Sequence, residues 1–257
     1  MIRITVALVL LLQLLSPQST FAADHQSLYD MALKASRSGD FDRALPLWNQ
    51  VLIVEPQDAA ALSNRGNVRL ALGDFDGAID DQTRAMAIAP DENDPHLNRG
   101  TAEEAQRDWQ AAAEDYLWIL ERDPEDAAAL YNLGNVRGSQ ADWSAARELF
   151  GEAFSVQPGF AMARSSQALA AWQEGDLAWA ESELRKLIRR YPMFADARAA
   201  LSGLLWRQGA SGEAESHWAA AAGLDQRYRQ LDWLRDIRRW PPQPAEDLMA
   251  FLALDER

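Results

Sequence analysis

The residue types that most often carry chemistry are scarce in this chain. Its 257 residues hold no cysteine, and the histidines number three, His25, His96 and His217, far apart in sequence. A disulfide framework, a thiolate zinc site, an iron–sulfur cluster and a cysteine nucleophile are therefore excluded, and the scattered imidazoles do not suggest a metal site. Asp74-Phe75-Asp76-Gly77 begins like a calcium loop, but Ala78 stands where the fifth-position ligand belongs, and Asp80-Asp81 continue a helical pattern. The charge run Asp91-Glu92-Asn93-Asp94 reads as a solvated turn. No Gly-x-Ser-x-Gly elbow, phosphate-cradling glycine loop or His-Glu-x-x-His helix occurs. The expectation is a chain with no catalytic residues, no metal and no cofactor. What remains is asparagine: Asn64, Asn67, Asn98, Asn132 and Asn135, joined by Thr101, recur at fixed spacing, and an amide both donates and accepts hydrogen bonds.

Charge bounds the partners. Thirty-nine acidic against 25 basic residues give a net charge of -14, which argues against nucleic acid and anionic lipid, since both demand a cationic surface. Residues 25–160 carry 24 acids and 11 bases, a net of -13, whereas residues 161–257 carry 14 and 13. A protein partner facing the first four of the repeats described next is expected to be neutral or basic there.

The amino terminus has the three parts of a secretory signal. Arg3 gives a positive start, Ile4 to Leu15 is apolar apart from Thr5 and Gln13, and Thr20-Phe21-Ala22 puts small residues at both ends of a cleavage triplet. Residues 1–22 are read as a signal peptide cut after Ala22. An uncleaved anchor is the competing reading, but the apolar run is shorter than the ~20 residues that cross a bilayer. After cleavage no stable membrane anchor is expected, and no cysteine is present to carry a lipid.

From residue 25 to residue 228 the chain is periodic. Pro56, Pro90, Pro124, Pro158 and Pro192 are 34 residues apart. The same lattice carries Ala44, Ala78, Ala112, Ala146, Ala180 and Ala214, and a small-residue series Ala32, Gly66, Gly100, Gly134, Ala168 and Ser202. It also carries Asp followed by a large apolar residue at 40–41, 74–75, 108–109, 142–143 and 176–177. Within residues 127–160, Leu130, Leu133, Gly134 and Val136 keep helical spacing, as do Ala146, Leu149, Phe150 and Ala153. Each unit thus reads as two helices. The aspartate starts the second helix by accepting free backbone N–H groups, and the proline ends it. The glycines are expected to let the partner helix approach at Ala78, Ala112 and Ala146.

These phased positions resemble the tetratricopeptide repeat, in six units: 25–58, 59–92, 93–126, 127–160, 161–194 and 195–228. The resemblance implies an all-α, right-handed superhelical solenoid of helix-turn-helix repeats. Residues 229–257 read as C-terminal capping helices, with Tyr228, Leu231, Trp233, Leu234, Ile237 and Trp240 as one apolar stripe and Leu248, Phe251 and Leu252 as another; Trp233 and Trp240 as a partner site is the alternative. The resemblance also implies a concave face, made by the first helix of each unit, that binds protein or peptide. Its candidate partner-binding residues are Asn64, Asn67, Asn98, Thr101, Asn132 and Asn135, with Tyr29, Leu97, Tyr131, Trp172 and Trp206 as apolar anchors. Stabilisation of neighbouring repeats is the competing role for the asparagines. The family's carboxylate clamp needs Lys and Arg where this chain has Tyr29, Asp94, Ala128 and Met162, so that clamp is absent.

The ending RRWPPQPAEDLMAFLAL resembles the terminus of tetratricopeptide proteins exported to the thylakoid lumen of cyanobacteria and plants. The expectation is a non-enzymatic exported scaffold in periplasm or thylakoid lumen, serving assembly or maintenance of an envelope or thylakoid complex. A periplasmic self-associating protein or one that assembles cell-wall or outer-membrane components is one alternative; a helper binding a glycan or small ligand is another. Amino-terminal sequencing of the mature protein should return a chain beginning at Ala23, and a mature chain still starting at Met1 would overturn the cleavage.

Overall fold

A computed structural model describes residues 17–253, with side chains from residue 25 onward. The apolar run of the signal reading lies outside the described residues, as do the side chains around Ala22. Among the described residues every regular element is a helix, and no helix is long and apolar enough to cross a membrane.

The chain divides into two compact units, one ending at Asp91 and the other beginning at Glu92. The first holds α1 (Pro17–Arg37), α2 (Phe41–Val54), α3 (Ala59–Ala71) and α4 (Phe75–Ile88). The second holds α5 (Asn93–Ala105), α6 (Trp109–Leu120), α7 (Ala127–Ser139), α8 (Trp143–Val156), α9 (Ala161–Gln173), α10 (Leu177–Arg190), α11 (Ala195–Arg207), α12 (Ser211–Leu224) and α13 (Pro242–Leu252). Within each unit consecutive helices pack as antiparallel neighbours, and the first helices of successive hairpins also touch: α1 with α3, α5 with α7, α9 with α11.

The hairpins start and stop for local reasons. Asp74, Asp108, Asp142 and Asp176 each accept a backbone N–H from the first turn of the second helix, at 3.0, 3.2, 3.2 and 3.3 Å, satisfying a donor that has no partner inside the helix. Asp40, at the same lattice position, makes no such bond. Asp74 is therefore a helix cap, and its calcium-like neighbourhood is a helix entry. The residue before each cap turns the chain with positive φ: Gly39, Gly73, Gly175 and Gly209 supply it freely, whereas Arg107 (63°) and Ala141 (64°) adopt it with a side chain.

The lattice alanines are buried at 0–1% exposure in all six hairpins. The expected close approach holds at Gly66, where a Cβ would lie 3.3 Å from the Ala78 carbonyl, but the nearest neighbour of each glycine is another side chain. A Cβ on Gly100 would lie 2.7 Å from Tyr116 Cε1, and one on Gly134 would lie 2.6 Å from Phe150 Cε1. The side chain one turn beyond the alanine is what presses on each glycine; at Gly66 it is Gln82, at 2.7 Å. The alanine is small because the backbones converge there, and the glycine is small because an aromatic ring fills the next gap.

Buried carboxylates tie the two helices of several hairpins together. Asp81 receives Arg65 at 2.6 Å and Arg69 at 2.9 Å. One repeat on, Asp115 receives Arg99 at 2.8 Å and His96 at 2.7 Å. In the next hairpin the same two lattice positions are Leu133 and Leu149, packed in one apolar cluster; in the one after, Glu183 takes Arg164 and Lys186.

Gly134→Ala should lower Tm. The helix gains about 1 kcal/mol of propensity but must move a packed ring, at a cost of about 1–3 kcal/mol. Ala141→Gly should raise Tm by relieving the left-handed backbone. Opposite signs in thermal melts are the check; a stabilised Gly134→Ala would overturn the packing account.

Candidate interaction face

The first helices carry the asparagines three residues apart, so each pair shares one face. On α3, Asn64 Nδ2 donates to the Ala60 carbonyl at 2.8 Å, and Asn67 Oδ1 accepts from Gln82 Nε2 at 3.1 Å. On α5, Asn98 is half-buried and engaged, and Thr101 Oγ1 donates to the Leu97 carbonyl at 2.9 Å. On α7, Asn132 and Asn135 are half-buried, and neither amide hydrogen-bonds another described residue. One pair is thus free on the face where its neighbours are engaged.

The apolar anchors divide similarly. Tyr29 stands edge-on to Trp48, centroids 4.9 Å apart. Leu97 packs beside Tyr116, and Tyr131 lies between Phe150 and Phe160. Trp206 is half-buried against the carboxy-terminal core. Trp172 is 1% exposed inside that core, so it serves packing and not as an accessible anchor.

The reason is the segment after the last repeat. It forms a 3₁₀ turn at Gln226–Arg229, a π turn at Trp233–Ile237 and then α13, which packs across α9 and α11. It thereby occupies the first-helix positions expected to face a partner. Gly203, equivalent by the 34-residue lattice to Asn67, Thr101 and Asn135, lies so close to Leu248 that a Cβ would meet its backbone at 3.2 Å. Arg207 pairs with Asp247 at 2.9 Å, and Gln173 accepts the Gln243 N–H at 2.8 Å. Tyr228, Leu234, Trp240, Leu248 and Phe251 are buried, as a cap requires, but Ile237 is 66% exposed and leaves the expected stripe.

The centre of this contact is Asp196, in the first turn of α11 and 1% exposed. Its Oδ2 accepts from Ser165 Oγ at 2.6 Å. Its Oδ1 accepts from Tyr228 OH at 2.9 Å, Arg238 Nη2 at 2.7 Å and Trp240 Nε1 at 3.1 Å. Burial alone would raise the carboxyl, but the Arg238 guanidinium and the two hydroxyls hold it below its ordinary value. Two features of the sequence mark Asp196: it is the one acid of α11, and glycine stands at the ninth position where repeats two to four carry Asn or Thr.

A second crossing point lies on α5. Arg239 reaches the Glu104 carbonyl at 3.4 Å and rests over Trp109, and Arg107 pairs with Asp236 at 2.9 Å in an exposed contact. Tyr116 donates to Glu104 at 2.7 Å. Burial pushes the Glu104 carboxyl up to about 7, against the pull of Tyr116 and Arg239. Burial and the nearby Asp115 charge push Glu103 up to about 7 as well, and its Oε2 has no partner. His25 and His96 stand beside carboxylates of other elements, Glu55 and Asp115, and His217 beside Glu213 of its own helix; among the described residues no group of three or more acidic or histidine side chains is arranged to hold a metal.

A family profile described as the tetratricopeptide repeat matches residues 29–93, 97–137, 134–184 and 166–228. Among solved structures, a tetratricopeptide repeat protein from Parabacteroides merdae aligns with TM-score 0.63 at 17% identity, over 89% of this chain and 98% of its own. TTC0263 of Thermus thermophilus aligns with TM-score 0.59 at 20% identity, over 71% and 99%. YrrB, described as having an unusual peptide-binding site, aligns with TM-score 0.53 at 16% identity, over 70% and 92%. No curated protein matches the chain in sequence.

Glu104 gives the contact a pH dependence of definite sign. Its proton is held more tightly in the folded state than at the ordinary value of 4.5, so its contribution to stability declines as pH rises from about 4.5 to about 7. Glu104→Gln removes that share, and urea melts across this range should show a shallower loss than wild type; an unchanged slope would overturn the assignment.

Proposed function

Because the chain belongs to the tetratricopeptide repeat family, we propose that it is a non-enzymatic scaffold that binds a protein or peptide partner through its first-helix face. The observation that carries this reading is α7: Asn132 and Asn135 share one face and have no hydrogen-bond partner among the described residues. An extended peptide presents alternating backbone N–H and C=O groups, and two amides one helical turn apart can take one of each without reading side chains. Asn64, Asn67 and Thr101 are already bonded within the chain and contribute shape more than hydrogen bonds.

The place of action in this proposal is outside the cytoplasm. The Met1–Ala22 pattern supports export, and the Arg-Arg-Trp-Pro-Pro ending supports the thylakoid lumen beside the periplasm. The net of -13 over residues 25–160 supports a partner whose surface is neutral or basic. Assembly or maintenance of an envelope or thylakoid complex is the process that joins these features.

An Asn132→Ala, Asn135→Ala double variant tests the reading. Both residues are partly exposed, so Tm should change little. Each lost hydrogen bond is worth about 1 kcal/mol, so recovery of partners from the exported fraction should drop about tenfold or more in quantitative pull-downs. Equal recovery of the same partners by wild type and variant would overturn it.

A further inference from the structure

The carboxy-terminal segment is seated on the first-helix face as a bound peptide would be, and its contacts define a ligand chemistry. The run Arg238-Arg239-Trp240-Pro241-Pro242 crosses α11, α9 and α5. Arg238 and Trp240 both reach the buried Asp196, Arg238 also touches Met162 Sδ on α9, and Arg239 reaches Glu104 on α5. We propose that the Asp196 seat is a recognition site for an extended segment pairing a guanidinium with an indole, held closed by the chain's own residues 238–242 and opened to a partner of the same arginine–tryptophan–proline chemistry. The inference rests on the scaffold reading and names its ligand class.

Three observations converge. The seat is chemically complete only when a guanidinium enters: Ser165 and Tyr228 leave Asp196 two hydrogen bonds, and the counter-charge comes from Arg238 alone. A buried carboxylate without that cation is costly, so the site selects strongly for arginine. Second, the occupying run is not a relaxed element. It follows a π turn, and Arg239 has φ 55°, a left-handed conformation that favours glycine. Its outer attachments are an exposed and weak ion pair, Arg107 with Asp236, and Arg239, which rests over Trp109, reaches the Glu104 carbonyl at 3.4 Å and lies 3.9 Å from the Glu104 carboxylate. Third, a cavity of about 210 Å³ adjoins the run, lined by Gly138, Ser139, Trp143 and Pro242 together with Arg235, Arg239 and Trp240. It lies at the end of α7, the helix that carries Asn132 and Asn135, and provides room for the side chain of an incoming segment beside the one it displaces. On the α5 side of the run charge complementarity points to the same class of ligand, since residues 92–160 of this unit carry 14 acids and 5 bases.

The test uses the full-length chain and a fluorescent synthetic peptide spanning residues 233–244, read by anisotropy. Arg238→Ala empties the guanidinium place. The peptide should bind this variant at least about tenfold tighter than wild type, raise its Tm with concentration, and lose about tenfold or more when its own Arg238 equivalent is alanine, as expected for a charge-assisted hydrogen bond. Should Arg238→Ala fail to fold, Arg107→Ala with Arg239→Ala loosens only the outer attachments and should also bind more tightly than wild type. Equal or undetectable binding by wild type and the folded variant overturns the inference. So does a wild-type dimer that exchanges tails, which would make a second copy the occupant. Pull-downs with the Asn132→Ala, Asn135→Ala variant separate the two readings: partner capture that wild type shows and this variant loses, with no peptide binding by Arg238→Ala, defeats this inference alone, whereas equal capture by wild type and the asparagine variant, with peptide binding to Arg238→Ala intact, defeats the scaffold reading alone.

Discussion

A carboxylate buried at 1% exposure must be supplied with donors and a counter-charge, and Asp196 gathers both from elements far apart in sequence. Left unpaired, such a group costs several kcal/mol. The segment after the last repeat is thus bound by a requirement as well as by apolar contact. Ser165 comes from α9, Tyr228 from the 3₁₀ turn, and Arg238 and Trp240 from the run before α13. Once these are in place, α13 is aligned along α9 and α11, Leu248 meets Gly203, and Trp172 is enclosed.

The same logic operates at lower intensity inside the hairpins. Asp81 and Asp115 are buried between first and second helices, and arginines on the first helix neutralise them. The intervening substitution of Leu133 and Leu149 for a charged pair shows that the hairpin itself does not need the ions. Well-packed apolar residues can replace a buried ion pair without loss of stability, whereas removing one partner is expensive. The ionic version adds direction: a bidentate guanidinium admits one register of the two helices, while leucines tolerate several.

Much of the helical plan was legible in the sequence because it is written in local terms. Proline two to four residues past the end of a second helix, aspartate at its start and alanine where backbones converge act within a few residues of themselves, so periodicity exposes them. The family was legible for the same reason. The interaction face was legible only in part. The amide pairs on one face followed from helix geometry, but which amides are free depended on distant neighbours: Gln82 engages Asn67, and nothing described engages Asn135. Position alone puts Trp172 on the first-helix face, yet it is core, because a segment some seventy residues later packs there, as the Gln173–Gln243 bond illustrates. Periodicity marks the glycines but not the rings of Tyr116 and Phe150, one turn beyond the lattice alanines, that require Gly100 and Gly134.

The order of helices, the points where they begin and end, and the residues each turns toward its immediate partner were set by the sequence alone, since hydrogen bonding, capping and close approach within a hairpin involve residues at most about one repeat apart. The seating of the tail on α9 and α11, the burial of Asp196 and the division of the first-helix face into covered and free parts came only from tertiary structure. The tail's share of those features depends on contacts between residues 42 to 135 positions apart, where no local periodicity records which side chain will meet which, and where one buried charge decides the outcome.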